Sequence, residues 1–594
     1  MVKDIMNKGL DSTHVAPPRV HNIREIMPHS PSVPTEKHSL EDPPDVAVGN
    51  QIRVSQRPPQ VTTANLTGPP EFHISSLWKL PVLNPVNGKA RLLLSYTLPI
   101  LTFNNAYSRN FHLSWLGFFV AFLSWFAFPP LIPEAIKTDL KLTTAQIGNS
   151  NIAALCATLV VRWAVGPLID RFGPRYVMAA LLVLGAIPSG LVGTVSSAGG
   201  LYTVRIFIGI LGGTFVPCQA WTTAWFDKSV VGRANALVAG WGNVGGGVTF
   251  AVMVALYQRL LSDGLSPHSA WRASFAIIPV PILLIVAILT LIFGTDHPAG
   301  KWSQRHKTPA TALAAIHGHE AHLDRSEAAR QKGKMEKQRM TAVVETQENE
   351  EKKVLDAQVK SETDTAINET LTVKMALRIL SSPLTWLPAF SYMASFGLEL
   401  AVDANLTTVL FNLFHARDAS FGQTKAGYYT ALFGALNIFT RPMGGHLADM
   451  IYEKHGVSGK KWLMLSLSFV MGAFSIGLGQ YIEKHVEDRS TPSLAVIMVL
   501  ITIIAIFCEM ANGANFALVP HCNAYSNGVM SGIVGGMGNL ELGLMLAWTR
   551  GAGGIWFALV FRYQPTTGGK AFWIMGIICI ISNLIVAWIH VPKW

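Results

Sequence analysis

The chain has 594 residues, of which 50% are hydrophobic and only 14% are charged, and its mean hydropathy is +0.33. This composition excludes an ordinary soluble protein of that length, because so much apolar surface requires a lipid solvent. The formal net charge of +11 does not indicate a nucleic-acid partner, since the Lys and Arg residues lie mainly in loops between apolar runs, where membrane topology explains them.

Residues 1–105 are predicted to form a disordered cytoplasmic tail. They are rich in Pro, Ser, Val and polar side chains and lack a sustained periodicity. No short apolar region with a small-residue cleavage site opens the chain, so we expect no secretory signal peptide.

Apolar runs of about twenty residues follow, which is the length that a helix needs to cross about 30 Å of hydrocarbon. The predicted spans are 112–133, 144–168, 176–195, 201–225, 232–258, 271–293, 384–414, 424–448, 461–481, 494–518, 528–561 and 572–590. They indicate an all-α membrane protein with twelve transmembrane helices, divided into an N-terminal half (106–293) and a C-terminal half (383–594). A Lys/Arg-rich cytoplasmic loop (294–382) separates the halves, and the charged loops place both termini in the cytoplasm.

The five cysteines are scattered and form no CxxC pair, so they predict neither a disulfide framework nor a metal site. We also find no metal-spaced His/Cys cluster, no nucleophile elbow and no carboxylate pair. The sequence therefore predicts neither an enzyme nor a bound metal or cofactor.

The second and eighth spans end in the same pattern, R-x3-G-x3-D. Its residues are Arg162, Gly166 and Asp170 in the first copy and Arg441, Gly445 and Asp449 in the second. The offset between the copies is constant, because 441 − 162, 445 − 166 and 449 − 170 are each 279. Such correspondence is typical of transporters built from two repeats around a midplane site.

The first copy continues as G-x3-D-R-x-G-x-R through Arg171, Gly173 and Arg175. This run resembles the loop signature of the major facilitator superfamily. The resemblance implies the two-repeat transporter fold, in which the small residue permits close helix approach and the charges hold the cytoplasmic gate.

The fifth and eleventh spans share a glycine-rich pattern that contains asparagine. Its members are Gly240, Gly242, Asn243, Gly245 and Gly246 in the first copy, and Gly536, Gly538 and Asn539 in the second. The first copy also satisfies G-x-G-x-x-G, but it lies inside an apolar helical run and not after a strand, so it does not indicate dinucleotide binding. We expect close packing between helices to account for at least half of the role of these glycines. The pattern resembles the signature of the nitrate/nitrite porter family.

Two arginines are the candidate anion ligands. Arg162 and Arg441 cannot escape burial by losing their charge, so each needs an anion, and the planar guanidinium fork suits planar nitrate. In the family that the chain resembles, one arginine from the second helix and one from the eighth helix bind the substrate. The resemblance also implies roles for two aromatic residues, Phe215 and Tyr392, which either flank the anion or pack in the hydrophobic core. It further implies that Asn243 and Asn539 shape the site.

The resemblance implies a plasma-membrane porter, a monomer in the lipid bilayer, whose substrates are nitrate and nitrite and whose coupling ions are protons. The intramembrane acids Glu399, Asp403 and Glu509 are available as a proton relay, although gating or structural roles are equally compatible with their positions. Nitrate/nitrite exchange, a nitrate-sensing receptor and transport of another small anion are the alternatives.

The eleventh span carries an apparent insertion. Setting Glu541–Ala552 aside joins Leu540 to Gly553-Gly554 and restores the signature, and it shortens the span from 34 residues to 22. We interpret these twelve residues as a retained intron, an error in the predicted gene or a disabling insertion; the alternative is a loop within a broken helix. Sequencing the transcript distinguishes these readings.

Overall fold

The computed structural model describes residues 77–79, 98–226, 230–298, 301–304, 373–522, 527–539 and 568–591, and the regular secondary structure within them is helical. Most of the predicted tail, most of the predicted central loop and the whole of the apparent insertion at 541–552 lie outside the described residues.

Six helical segments form the first half. The first begins where the side chain of Asn105 accepts a hydrogen bond of 2.8 Å from the backbone N–H of Ser108, and the second begins at a capping box formed by Thr143 and Gln146. In chain order the segments are α1 (Ala106–Trp125), α2 (Thr144–Phe172), α3 (Pro174–Gly190), α4 (Ala198–Trp225), α5 (Val231–Ser262) and α6 (Pro267–Phe293).

The second half repeats this order with one internal break. Helix Thr440–Glu487 changes direction at Gly456, whose φ of 62° lies in the left-handed region that glycine adopts without strain, and this break separates α8 from α9. The segments are α7 (Pro383–Phe414), α8 (Gln423–Ala435 and the start of Thr440–Glu487), α9 (Lys454–Glu487), α10 (Leu494–Cys522), α11 (Asn527–Met537) and α12 (Gly569–Val586).

Nine described helical segments are long and apolar enough to cross a membrane. The helices α7 and α8 and the described part of α11 occupy the places of the other three predicted spans. Large apolar side chains such as Val160, Ile187 and Ile292 are exposed on the outside of the bundle, as lipid contact requires. The chain is therefore a multi-pass membrane protein with the predicted fold class.

Glycines allow the two halves to touch through their backbones. A Cβ atom on Gly247 of α5 would lie 2.7 Å from the Cα and carbonyl carbon of Gly434 in α8, and one on Gly240 would lie 2.6 Å from the carbonyl oxygen of Asn437. At the related contact between α2 and α11, a Cβ atom on Gly166 would lie 2.9 Å from the carbonyl oxygen of Gly528. The signature glycines thus serve two kinds of contact: Gly240 and Gly536 face helices of the other half, whereas Cβ atoms on Gly242, Gly245 and Gly246 would meet α1 of their own half and one on Gly538 would meet α7.

Replacing Gly247 by Val should destabilise the purified protein, because the added methyl groups would meet backbone atoms that cannot rotate away. Overpacking of this kind costs about 1–3 kcal/mol. The melting temperature in detergent should fall by several degrees. The control is Gly477→Val in α9, where a Cβ atom meets nothing within 4 Å; equal shifts in both variants would contradict close packing at Gly247.

Candidate substrate site

Arg162 of α2 and Arg441 of α8 are both completely buried between the halves. Arg162 donates from Nε to the carbonyl oxygen of Gly212 at 2.7 Å and from Nη1 to that of Gly535 at 2.5 Å. Gly212 can accept because it lies in a 3-10 turn that interrupts α4. These contacts hold the guanidinium of Arg162 between α4 and α11.

Three guanidinium nitrogens lack a hydrogen-bond acceptor among the described residues. They are Nη2 of Arg162 and Nε and Nη1 of Arg441. The remaining nitrogen of Arg441, Nη2, donates to the hydroxyl of Tyr392 at 2.9 Å. A buried charged donor without an acceptor is costly, so these three nitrogens indicate a place for an anion.

Aromatic rings line the same space. The guanidinium carbon of Arg162 lies 5.0 Å from the ring centroid of Phe215 and 5.1 Å from that of Phe396, and Arg441 lies 5.9 and 5.7 Å from the same two rings. The two phenyl rings are 6.1 Å apart and within 20° of parallel. Tyr392 stacks on Phe396 at 4.8 Å. The structure therefore brings both predicted aromatic residues to the arginines.

Phe396 also lines the site, although it was not among the predicted site residues. Its spacing of four residues from Tyr392 places both rings on one face of α7, and this helical spacing was the signal that would have found it.

The two signature asparagines adjoin the arginines but have different partners. Asn243 of α5 donates from Nδ2 to Oε1 of Glu399 in the other half, and its own Oδ1 has no donor among the described residues. Asn539 donates to the carbonyl oxygen of Gly535, one turn earlier in its own segment, at 3.3 Å. Asn243 therefore connects the halves through a carboxylate, whereas Asn539 shapes the end of α11.

A cluster of buried acids lies beside Arg441 only. Its Nη1 is 3.6 Å from Oε2 of Glu399 and 3.6 Å from Oε2 of Glu509. One carboxyl oxygen of each glutamate also lies within 4.8 Å of the other. The prediction that the chain has no carboxylate pair was thus wrong, because the two acids are 110 positions apart in sequence and only the fold brings them together.

Cys508 completes a group with Glu399 and Glu509 whose potential metal-ligand atoms lie within 4.8 Å of one another. Arg441 already places a permanent positive charge against both carboxyl groups. A divalent cation would have to bind against that charge, so we assign no metal to this cluster.

At one end of the bundle, the repeated aspartates meet the first turns of helices in the opposite half. Asp449 accepts from the backbone N–H of Arg233 in α5 at 2.8 Å and from Nζ of Lys460 at 2.9 Å. Asp170 lies beside Gly528 in the first turn of α11, where a Cβ atom would be 2.7 Å from Oδ1. A carboxylate at a helix N-terminus is favoured by the helix dipole, so these contacts close this end. Lys460 was not predicted.

The rest of the loop signature packs partly across the two halves, at Gly445, and partly locally. A Cβ atom on Gly445 would lie 2.5 Å from the carbonyl oxygen of Gly232, and Arg171 stacks on Phe172 at 5.2 Å. Gly173 has a φ of 88°, and the backbone N–H of Arg175 donates to Oδ1 of Asp296 at 3.0 Å. Burial raises the pKa of Asp296 above its ordinary value, although the Arg175 contact opposes this.

The opposite end of the bundle is closed by Gln423, which was also not predicted. Its Oε1 accepts from the backbone N–H groups of Glu134 and Ala135, just beyond α1, at 3.1 and 3.3 Å. Contacts therefore join the halves at both ends, and the arginines between them are occluded.

Comparison with known proteins identifies the family. The model of the Major Facilitator Superfamily matches residues 114–547. Nitrate transporter 2.1 from Chlamydomonas reinhardtii is 32% identical over 84% of this chain and 77% of its own length. The nitrate/nitrite transporter NrtP from Nostoc punctiforme is 26% identical over 82% of this chain and 93% of its own.

The xylose transporter XylE from E. coli shares the fold at 15% sequence identity, with a TM-score of 0.52 over 82% of this chain and all of that one. Both predicted resemblances are confirmed, and the chain belongs to the major facilitator superfamily and, within it, to the nitrate transporter family.

Proposed function

We propose that this protein carries nitrate, and also nitrite, across the plasma membrane by alternating access coupled to protons. The observation that carries the proposal is the group of three guanidinium nitrogens without acceptors, which lies between near-parallel aromatic faces at the contact of the two halves. The relatives named as nitrate and nitrate/nitrite transporters support the choice of anion.

Nitrate fits the chemistry of this site. It is flat and singly charged and has three acceptor oxygens, so it can accept hydrogen bonds from Nη2 of Arg162 on one side and from Nε and Nη1 of Arg441 on the other. Nη1 of Arg441 also lies 3.6 Å from a carboxyl oxygen of Glu399 and of Glu509, so these acids influence how it meets the anion. Hydrogen bonds to charged groups contribute about 1.5–3 kcal/mol each. Nitrite offers two acceptor oxygens in a similar plane, which accounts for its inclusion.

Alternating access follows from the arrangement of the contacts. The halves meet at Asp449 and Asp170 at one end and at Gln423 at the other, and the anion site lies between. A bound anion attracts both arginines and stabilises the occluded arrangement, whereas an empty site leaves the buried positive charge of Arg162 without a counter-charge. Release of either end would then expose the site to one side of the membrane.

Uptake into a negatively charged cytoplasm requires energy. One monovalent anion entering against about 100 mV costs about 2.3 kcal/mol. The buried acids Glu399, Asp403 and Glu509 lie beside Arg441 or within one helical turn of its partners, where a proton can compensate the anion. We therefore assign proton coupling to this group of acids.

The orientation and assembly of the protein are part of the same proposal. The Lys/Arg-rich loops support cytoplasmic termini, with residues 1–105 as a tail and 294–382 as the loop between the halves. The site is complete within one chain, so a monomer suffices. If the twelve residues at 541–552 are present in the mature protein, transport is in doubt, because they interrupt the second copy of the signature two positions after Asn539 in the sequence.

The decisive experiment is the flux of labelled nitrate into vesicles that contain only the purified protein. A transporter gives saturable uptake that nitrite inhibits and sugars do not. A nitrate receptor binds nitrate without flux, and a transporter of another anion shows no specific uptake, so either result would reject the proposal.

Replacing Arg162 or Arg441 by Lys should strongly lower the affinity for nitrate, because Lys keeps the positive charge but lacks the planar set of guanidinium donors. Loss of one charged hydrogen bond corresponds to an increase of about 10- to 150-fold in the nitrate Kd, which isothermal titration in detergent measures. Arg259→Lys, in an exposed ion pair with Asp263, is the matched control. Wild-type affinity in both site variants would refute the assignment.

Proton coupling predicts that nitrate entry carries protons with it. In vesicles that contain a pH-sensitive dye, with the membrane potential clamped, an inward nitrate gradient should acidify the lumen even without an initial pH gradient. Nitrate/nitrite exchange would leave the luminal pH unchanged. Nitrate entry without acidification would therefore favour the exchanger over the symporter.

A further inference from the structure

The two acids beside Arg441 differ in their surroundings. Glu399 accepts hydrogen bonds from three side-chain amides: that of Asn243, that of Asn437 at 3.4 Å and that of Asn512 at 2.6 Å. A carboxylate that accepts several N–H donors is stabilised in its ionised form. The geometry thus makes Glu399 a fixed negative charge.

Glu509 has the opposite environment. Neither of its carboxyl oxygens meets an N–H or hydroxyl donor at hydrogen-bond distance among the described residues, and the side chain is completely buried. Its charged or titratable neighbours are Glu399 and Asp403 from α7, Arg441 from α8 and Cys508 on its own helix. Two buried carboxyl groups whose oxygens lie within 4.8 Å of each other repel strongly when both are ionised. The amide donors stabilise the charge of Glu399 only, so the proton of the pair belongs on Glu509.

This proton sets the charge that an anion meets. With Glu509 ionised, Arg441 would face two carboxylates and its positive charge would be more than cancelled. With Glu509 neutral, Glu399 balances Arg441 and leaves the positive charge of Arg162 uncompensated, provided that Asp403 is also neutral. Asp403 has an unpartnered Oδ1 and no cation at ion-pair distance among the described residues, which favours its neutral form. A site with one net positive charge matches one monovalent anion.

We infer that Glu509 is the group that carries the transported proton, and that its protonation makes Arg441 available to nitrate while Glu399 remains ionised. The inference rests on the proposed function. The O–H bond of Glu509 forms while the site is open to the outer medium and breaks when it is open to the cytoplasm, so the proton and the anion leave together.

Glu509 is a better candidate than Asp403 because only Glu509 is in contact with Arg441. Its Oε2 lies 3.6 Å from Nη1 of Arg441, whereas Asp403 is one turn along α7 from Glu399 and forms no ion pair among the described residues. A proton on Asp403 changes the net charge of the site but does not release the arginine. Asp403 is thus the internal comparison for the experiment.

The test compares Glu509→Gln, which imitates the protonated acid, with Asp403→Asn and Glu399→Gln in vesicles. Wild-type protein should accumulate labelled nitrate about tenfold per coupled proton under a pH gradient of one unit at zero potential. Glu509→Gln should retain exchange of labelled for unlabelled nitrate but lose this accumulation entirely. Its nitrate affinity should also lose its dependence on external pH. Glu483→Gln, which removes a carboxylate at the end of α9 that contacts Trp573, is the matched control.

If Glu509→Gln still accumulates nitrate under the pH gradient, the inference is overturned. The inference also fails if Asp403→Asn or Glu399→Gln loses this accumulation while Glu509→Gln keeps it. If Glu509→Gln also loses exchange, the pH profile of nitrate binding decides: a flat profile supports the inference and a wild-type profile rejects it. Absence of nitrate flux in the wild-type protein would instead reject the proposed function itself.

Discussion

The structure depends on two guanidinium groups that are buried where they cannot lose their charge. In a low-dielectric interior an unpaired ion costs several kcal/mol, and arginine cannot reduce this cost by deprotonation. The carbonyl oxygens of Gly212 and Gly535 accept hydrogen bonds from two guanidinium nitrogens of Arg162, and the hydroxyl of Tyr392 accepts one from Arg441. The guanidinium nitrogens that lack an acceptor lie beside the same aromatic rings. An anion that accepts hydrogen bonds from them would remove the free-energy cost of leaving them unpaired, and this gain favours its binding.

The two halves repeat one fold but divide the chemistry unequally. The helices α2 and α8 begin at Thr144 and Gln423, and 423 − 144 gives the same offset of 279 as the arginines. Applied to α7, this offset pairs Glu399 with Val120 and Asp403 with Ser124 of α1. The first half therefore contributes Arg162 and no buried acid at these positions. The second half contributes Arg441 together with the carboxyl groups that can modulate its charge. Duplication explains the symmetric anion ligands, and later divergence explains why the acids are confined to one side.

Sequence alone was sufficient for the fold and for the main ligands, because both leave periodic or repeated signals. Apolar runs of membrane length predict the helices, and the constant offset predicts that Arg162 and Arg441 are equivalent. It was not sufficient for contacts between residues far apart in the chain. The contact of Asn243 with Glu399 spans 156 positions and that of Gln423 with Glu134 spans 289, and no local pattern encodes either.

The contacts that close the two ends are weak enough to permit alternation. At the end closed by Gln423, one neutral amide oxygen accepts from two backbone N–H groups, and such bonds contribute about 0.5–1.5 kcal/mol each. A ligand can shift a conformational equilibrium only by its difference in affinity for the two states, and about 5.5 kcal/mol is enough to reverse a ratio of 1:99. Two or three charged hydrogen bonds to a bound oxyanion are of that size. The energy that closes the halves around the anion is therefore comparable to the energy of the Gln423 contact, and this balance allows a small ion to control a large helical bundle.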